Sequence, residues 1–189
     1  PRLYTPMDIS AAHLQASVAR LRADFPDLNV TAQVCDHTAG LWLGAHQPVA
    51  PRVFFYPGSS IGNFEPEAAV GFMRVLRSTM DERGGLLIGV DSKKNADVLH
   101  AAYNDRAGTT AQFNLNVLVH LNKLLGGNLA AENFAHMAHY DETFGRIQMH
   151  LQCRRSHSAV LAGERLEFVA GEQVHTENSY KYYPDEFVT

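Results

Sequence analysis

The sequence predicts an α/β fold with a parallel sheet, and three observations carry that expectation. Over the first half of the chain, short apolar runs of strand length alternate with segments whose apolar residues recur at helical spacing. One such run, Val53–Tyr56, passes straight into Pro57-Gly58-Ser59-Ser60-Ile61-Gly62-Asn63-Phe64, a glycine-rich elbow of the kind that faces a ligand crevice at the carboxyl end of a strand. From Arg146 onward the pattern turns to apolar/polar alternation and a hairpin, so an antiparallel portion follows the parallel one.

Taken in order, Arg2 to Asp8 reads as a strand, and Ser10 caps a helix whose Leu14, Val18, Leu21 and Phe25 share one face before Pro26 ends it. Asn29 to Cys35 is the next strand and Val53 to Tyr56 the third. Pro66 to Met80 is a helix with Val70, Met73 and Leu76 inward, and Leu86 to Val90 is a strand after the Gly84-Gly85 turn. Asp97 to Leu125 reads as mostly helical, broken near Gly108. Arg146 to Arg154 alternates, and Ala159 to Leu161 with Leu166 to Val169 form a hairpin around Gly163.

Composition narrows the function classes. The 189 residues carry a net charge of −4 with no Lys/Arg run, which argues against a nucleic-acid groove or an anionic membrane surface and for a small-molecule partner. Two distant cysteines, Cys35 and Cys153, with no signal-like or membrane-spanning apolar run, fit a reducing cytoplasm without a disulfide. The first residue is Pro1, and the chain reads as a fragment of something longer.

Several side chains stand where chemistry is expected. Asn63 offers donors and an acceptor without charge, suited to an amino acid or a neutral ring, or else to capping the next helix. Asp8, Asp36 and Asp91 each close a strand. A carboxylate at such a position can accept both hydroxyls of a ribose, which suits Asp8, while Asp36 can take an adenine amino group with His37 beside it. A helix cap or a solvated loop carboxylate is the alternative for each. Glu177 and Ser179, two apart in extended chain, share a face and can clamp the two nitrogens of a small heterocycle, with a solvated turn as the alternative. Tyr103 is either helix packing or a hydroxyl for a ligand carboxylate. His136 and His139 lie nearly on one face if helical, yet no Cys or carboxylate cluster completes a ligand set, so no metal site is expected. Ser59 and Ser60 lack a partner base and the G-x-S-x-G frame of a nucleophile elbow.

Phe55-Tyr-Pro-Gly-Ser-Ser-Ile-Gly-Asn-Phe64, Gly89-Val-Asp91, Ala101-Ala-Tyr-Asn-Asp105, Phe113-Asn-Leu-Asn116, Arg146-Ile-Gln-Met-His150 and His175-Thr-Glu-Asn-Ser-Tyr-Lys181 together closely resemble the L-histidine Nα-methyltransferase family of ergothioneine biosynthesis. The resemblance covers essentially the whole chain in order. It implies a class I (Rossmann-like) fold that uses S-adenosylmethionine, with residues 1–91 part of the core, 92–145 a mostly helical substrate-binding insertion and 146–189 the strands that complete the sheet and the substrate site. It implies that Asp8 takes the cofactor ribose and that Asp36 with His37 takes the adenine. Asn63 and Tyr103 would hold the amino acid carboxylate and amino end, Gly58 would line the pocket, and Glu177, Asn178 and Ser179 would bind the imidazole with Met149 beside it.

The implied chemistry is methyl transfer to the α-amino nitrogen of L-histidine, repeated to trimethylhistidine (hercynine). The amine must first lose a proton. With no strong base evident, that proton is expected to leave to solvent, or through water to a polar group such as Asn63 or Tyr103, and catalysis to rest on alignment. A methyltransferase for another amino acid, such as a tryptophan derivative, would not be expected to keep a carboxylate at Glu177. A non-catalytic binding module is the third reading. The family's first strand and glycine-rich cofactor loop are expected upstream of Pro1. The chain alone is therefore expected to be inactive, with exposed strand edges that favour an edge-paired or swapped dimer.

Overall fold

The computed structural model describes residues 3–36 and 51–188. It comprises two units, Pro1–Phe54 with Ala68–Leu86 and Phe55–Glu67 with Leu87–Thr189. In the first, the expected strand Arg2 to Asp8 is two short pieces, β1 (Leu3–Tyr4) and β2 (Met7–Asp8), because Pro6 between them has no N–H to give a ladder. A 14-residue helix, α1 (Ala11–Asp24), follows, with the Ser10 hydroxyl accepting from the His13 N–H at its start. The expected strand Asn29 to Cys35 is likewise split, into β3 (Asn29–Val30) and β4 (Gln33–Val34). β1 pairs with β3 and β2 with β4, both parallel, as the alternation of strands and helices predicts.

Leu14 and Val18 of α1 bury against Val30, a small core in which each side chain contributes about 1.5–3 kcal/mol. Phe25, expected on that face, is 58% exposed because it caps the helix with φ −133° and has left the helical spiral. β5 (Val53–Tyr56), α2 (Pro66–Ser78) and β6 (Gly85–Ile88) complete the strand–helix–strand element. α2 buries Ala69, Phe72 and, as expected, Leu76, while Val70 is exposed and Met73 only partly buried. The Gly85 N–H donates to the Arg52 carbonyl and the Gly89 N–H to that of Tyr56, so β5 and β6 advance together as a parallel pair does.

The second unit is built on a sheet. α3 (Ala96–Tyr103) and α4 (Thr109–Leu125) break at Gly108, as expected, and precede β7 (Phe134–Asp141), β8 (Arg146–Cys153), β9 (His157–Leu161), β10 (Glu164–Phe168), β11 (Gln173–Tyr180) and α5 (Pro184–Val188). β9 and β10 make the expected hairpin around Ala162 and Gly163, whose positive φ values of 54° and 82° match a turn that follows strand twist. β11, β8 and β7 lie side by side, antiparallel, in that order.

β7 is a strand that the helical spacing of its histidines obscured. Pairing along its whole length with β8 overrides that local pattern. His136 stands opposite Leu151 and His139 opposite Gln148, so the two histidines point to opposite faces and are not the helical pair their spacing suggests. On β8 the alternation is complete: Ile147, Met149, Leu151 and Cys153 are at most 3% exposed. Met149 and Ile147 pack with Leu99 of α3, Leu151 and Cys153 with Leu118 of α4. One face of the sheet is therefore covered by helices. Arg146, Gln148, His150 and Gln152 point the other way.

Candidate functional site

β11 carries the site, and one irregularity sets its phase. His175 pairs with His150 and Glu177 with Met149, so the ladder skips Thr176, whose hydroxyl bonds the Met149 carbonyl at 3.0 Å. Without that bulge His175 and Glu177 would share a face. With it, His175 joins His150 on the open face, while Glu177, Ser179 and then Lys181 follow Met149 and Ile147 onto the helix-covered face. Glu177 and Ser179 thus share one face, as their spacing predicts.

The glycine-rich elbow lies along the free edge of β11. A Cβ on Gly62 would come within 2.6 Å of the Tyr180 carbonyl oxygen, so only glycine lets the two backbones meet. Ser59, at the start of the short 3-10 turn Ser60–Asn63, adopts a left-handed φ of 58°, uncommon for a residue with a side chain. Its hydroxyl accepts from the Asp91 N–H at 2.8 Å and ties the elbow to the segment after β6. Gly58 beside it has φ 77°. Beyond β11, Tyr182 extends the strand against that segment, donating to the Asp91 carbonyl and accepting from the Lys93 N–H.

From the elbow, the Asn63 side chain approaches the Glu177 carboxylate and favours its charged form. Burial pushes the Glu177 carboxyl above its ordinary value, with Lys181 and Asn63 pulling the other way. From α3, the Tyr103 hydroxyl lies 2.9 Å from Ser179 Oγ. Tyr103 is fixed by β7: His136 uses Nδ1 on the Asn114 amide and Nε2 on the Tyr103 carbonyl, each at 2.9 Å, while Asn104 bonds the Ala138 carbonyl. Tyr103 also packs against the Leu99, Ile147 and Met149 cluster, so its ring is part of the core while its hydroxyl reaches Ser179.

Lys181 is the residue that sequence reasoning missed. It is 1% exposed, and its ammonium donates to Tyr103 Oη at 2.8 Å and to Ser179 Oγ at 2.7 Å, with Asp91 Oδ2 at 3.4 Å. Burial alone would raise the Asp91 carboxyl, but hydrogen bonds and charge from Lys94 and Lys181 hold it below its ordinary value. The signal was available: Glu177, Ser179 and Lys181 continue one period-two alternation.

Asn178 points away from this group, to the open face. Its amide donates to Glu65 Oε1 at 2.8 Å and its oxygen meets His175 Nε2 at 2.8 Å. Glu65 also takes the Tyr180 hydroxyl and an Arg146 N–H, and the hydrogen bond from Tyr180, then those from Asn178 and the Arg146 charge, keep its carboxyl low against burial. The structure therefore groups Asn63, Tyr103, Met149, Glu177 and Ser179 and sets Asn178 apart from them.

The cofactor candidates lie in the first unit. Asp8 ends β2, and its Oδ1 accepts from the Ser10 N–H at 2.7 Å in the turn into α1, while Asp36 lies just beyond β4, the parallel neighbour of β2. Two carboxylates at the carboxyl ends of adjacent parallel strands suit a ribose diol and an exocyclic amine. His37 lies outside the described residues. Among the described residues no group of three or more His, Cys, Asp or Glu side chains could hold a metal ion.

The chain is 34% identical to histidine N-alpha-methyltransferase of Mycolicibacterium smegmatis over 99% of its own length and 58% of the relative's. It is 32% identical to the protein of that name from Mycobacterium tuberculosis, over 97% of this chain and 57% of the relative's. Ergothioneine biosynthesis protein 1 of Schizosaccharomyces pombe is 31% identical over 71% of this chain and 18% of its own. The chain thus spans little more than half the length of the bacterial relatives. A carboxylate and a hydroxyl aligned on one strand suit an imidazole, and the family model for SAM-dependent, histidine-specific methyltransferases matches residues 2–189: the chain belongs to that family.

Proposed function

We propose that the full-length protein transfers methyl groups from S-adenosylmethionine to the α-amino nitrogen of L-histidine, giving trimethylhistidine for ergothioneine biosynthesis. The observation that carries this reading is the half-buried Glu177 beside Ser179 on the helix-covered face, joined by Asn63 from the elbow and Tyr103 from α3. A carboxylate takes one ring N–H and a hydroxyl pairs with the other ring nitrogen, whereas an apolar ring would leave a desolvated Glu177 unpaired at a cost of about 1–3 kcal/mol or more. Met149, directly opposite Glu177 in the ladder and 3% exposed, gives the ring an apolar neighbour.

Asp8, and Asp36 with His37, are the residues we assign to the ribose and adenine of the cofactor in a class I sheet. When bound, S-adenosylmethionine supplies a methyl group already activated on sulfur. The protein's share is then to hold the amino acid, with Asn63 and Tyr103 at its amino and carboxylate end, and to let the amine shed its proton through water. Asn178 supports Glu65 and the elbow rather than the ring. We further propose a cytoplasmic enzyme with no nucleic-acid or membrane partner. For this chain by itself we propose an edge-paired dimer through β5 and β6, whose Val53, Phe55 and Leu87 are 72%, 61% and 61% exposed.

The test is calorimetric titration of the full-length protein with L-histidine in the presence of S-adenosylhomocysteine, beside Glu177→Ala. Saturable binding that weakens about 10- to 100-fold in the variant supports the reading, since a hydrogen bond to a charged group is worth about 1.5–3 kcal/mol. No histidine binding by the parent, or tighter binding of L-tryptophan, overturns it.

A further inference from the structure

A lysine that is 1% exposed is rare unless its charge and its donors are all used. The ammonium of Lys181 has three N–H groups, and three acceptors surround it: Ser179 Oγ at 2.7 Å, Tyr103 Oη at 2.8 Å and Asp91 Oδ2 at 3.4 Å. Two N–H groups are thus hydrogen-bonded and the third faces the Asp91 carboxylate. The two hydroxyl oxygens are also 2.9 Å apart, so one of them donates its hydrogen to the other. The donor has then spent its hydrogen and keeps one lone pair. The acceptor has filled both lone pairs and keeps its hydrogen. The pair therefore offers a ligand one donor and one acceptor, always on opposite members.

We propose that Lys181, anchored by Asp91, is a positioning residue that couples Tyr103 and Ser179, so that the hydrogen-bonding sense at one end of the amino acid dictates the sense at the other. This rests on the histidine reading above. If Tyr103 donates to the substrate carboxylate, Ser179 must accept, and with Glu177 it takes both N–H groups of an imidazolium. If Tyr103 accepts from the amino end, Ser179 donates to a neutral imidazole. Without the ammonium each hydroxyl regains a lone pair, so both can accept at once and the coupling of the two ends loosens.

The test is L-histidine affinity of the full-length protein with S-adenosylhomocysteine bound, for Lys181→Met, Tyr103→Phe and Ser179→Ala, singly and combined. Lys181→Met should weaken histidine about tenfold and leave S-adenosylhomocysteine affinity unchanged. The effects of Tyr103→Phe and Ser179→Ala should be strongly non-additive with Lys181 present and closer to additive in the Lys181→Met background. Equal coupling in both backgrounds, or histidine affinity unchanged in Lys181→Met, overturns the proposal. Should Lys181→Met fail to fold, Asp91→Asn keeps every donor and gives the same readouts, with about a threefold loss and reduced coupling expected; unchanged coupling would overturn it. A parent protein that binds no histidine fails the functional reading instead, which the same titration shows first.

Discussion

The two faces of the β11–β8–β7 sheet use similar residue types to opposite ends. On the helix-covered face, Glu177, Ser179, Lys181 and Tyr103 converge in a partly desolvated group whose polar atoms contact one another. On the open face, His139 stacks on His150 with ring centroids 5.4 Å apart, His175 meets His150 edge to face at 5.1 Å, and Asn178, Tyr180 and Arg146 gather around Glu65. The first arrangement concentrates strong, directional groups where water is scarce and can select a ligand. The second braces the elbow against β11 near solvent, where such bonds are individually worth little. What separates the proposed recognition group from the supporting one is the buried Lys181 charge at the centre of the first.

The largest expected effect comes from breaking the alternation of the covered face. Deleting Asn178 makes Glu177 and Ser179 neighbours, which regular alternation sends to opposite faces. Histidine binding by the full-length protein should be abolished while circular dichroism still shows the sheet, whereas deleting Thr176 leaves the His175–His150 and Glu177–Met149 pairs consecutive and should keep binding; retained binding without Asn178 would mean that the shared face does not make the site. Next is Gly62→Ala. Its Cβ would meet the Tyr180 carbonyl at 2.6 Å, backbone that cannot yield, and a loss of about 1–3 kcal/mol in denaturant unfolding is expected. Tyr180→Phe removes the hydroxyl that takes an Arg146 N–H at 2.6 Å and donates to Glu65, at an expected cost of about 1 kcal/mol with histidine affinity nearly unchanged. A large loss of affinity would move the open face into the recognition machinery.

The smallest effect depends on pH. Burial first, then the neighbouring His175 and His139, hold the His150 imidazole below its ordinary value of 6.5. The unfolded chain therefore binds that proton more readily than the folded one. His150 contributes stability above about pH 6.5 that is lost as pH falls through the lowered folded value. The melting temperature should drop between pH 7.5 and 5.5 (about one unit either side of 6.5), and His150→Gln should flatten the decline. An unaltered slope would assign the loss to other groups.

Much of this was legible in the sequence where local chemistry and tertiary environment agree. Ser10 caps α1, the elbow follows β5, β8 alternates, and Glu177 with Ser179 shares a face, each set by a neighbour within a few residues. Distant partners decided what was misread. β7 carries histidines at helical spacing, and only its pairing with β8 makes it a strand. Pro6 splits the first strand. Val70 and Phe25 carry apolar side chains at positions that the helix axis and its end leave outside. Lys181 was passed over because lysine is ordinarily a surface residue, and the acceptors that bury it come from residues 91, 103 and 179.

The bulge at Thr176 also gives β11 two separate registers. Upstream, residues 173–175 pair with residues 152–150 of β8, ahead of the unpaired position. Downstream, residues 177–180 stay locked to β8 on one side, with the elbow backbone at Gly62 on the other. A strand built this way carries two phases along one chain, and its second half keeps the spacing of a fixed ruler.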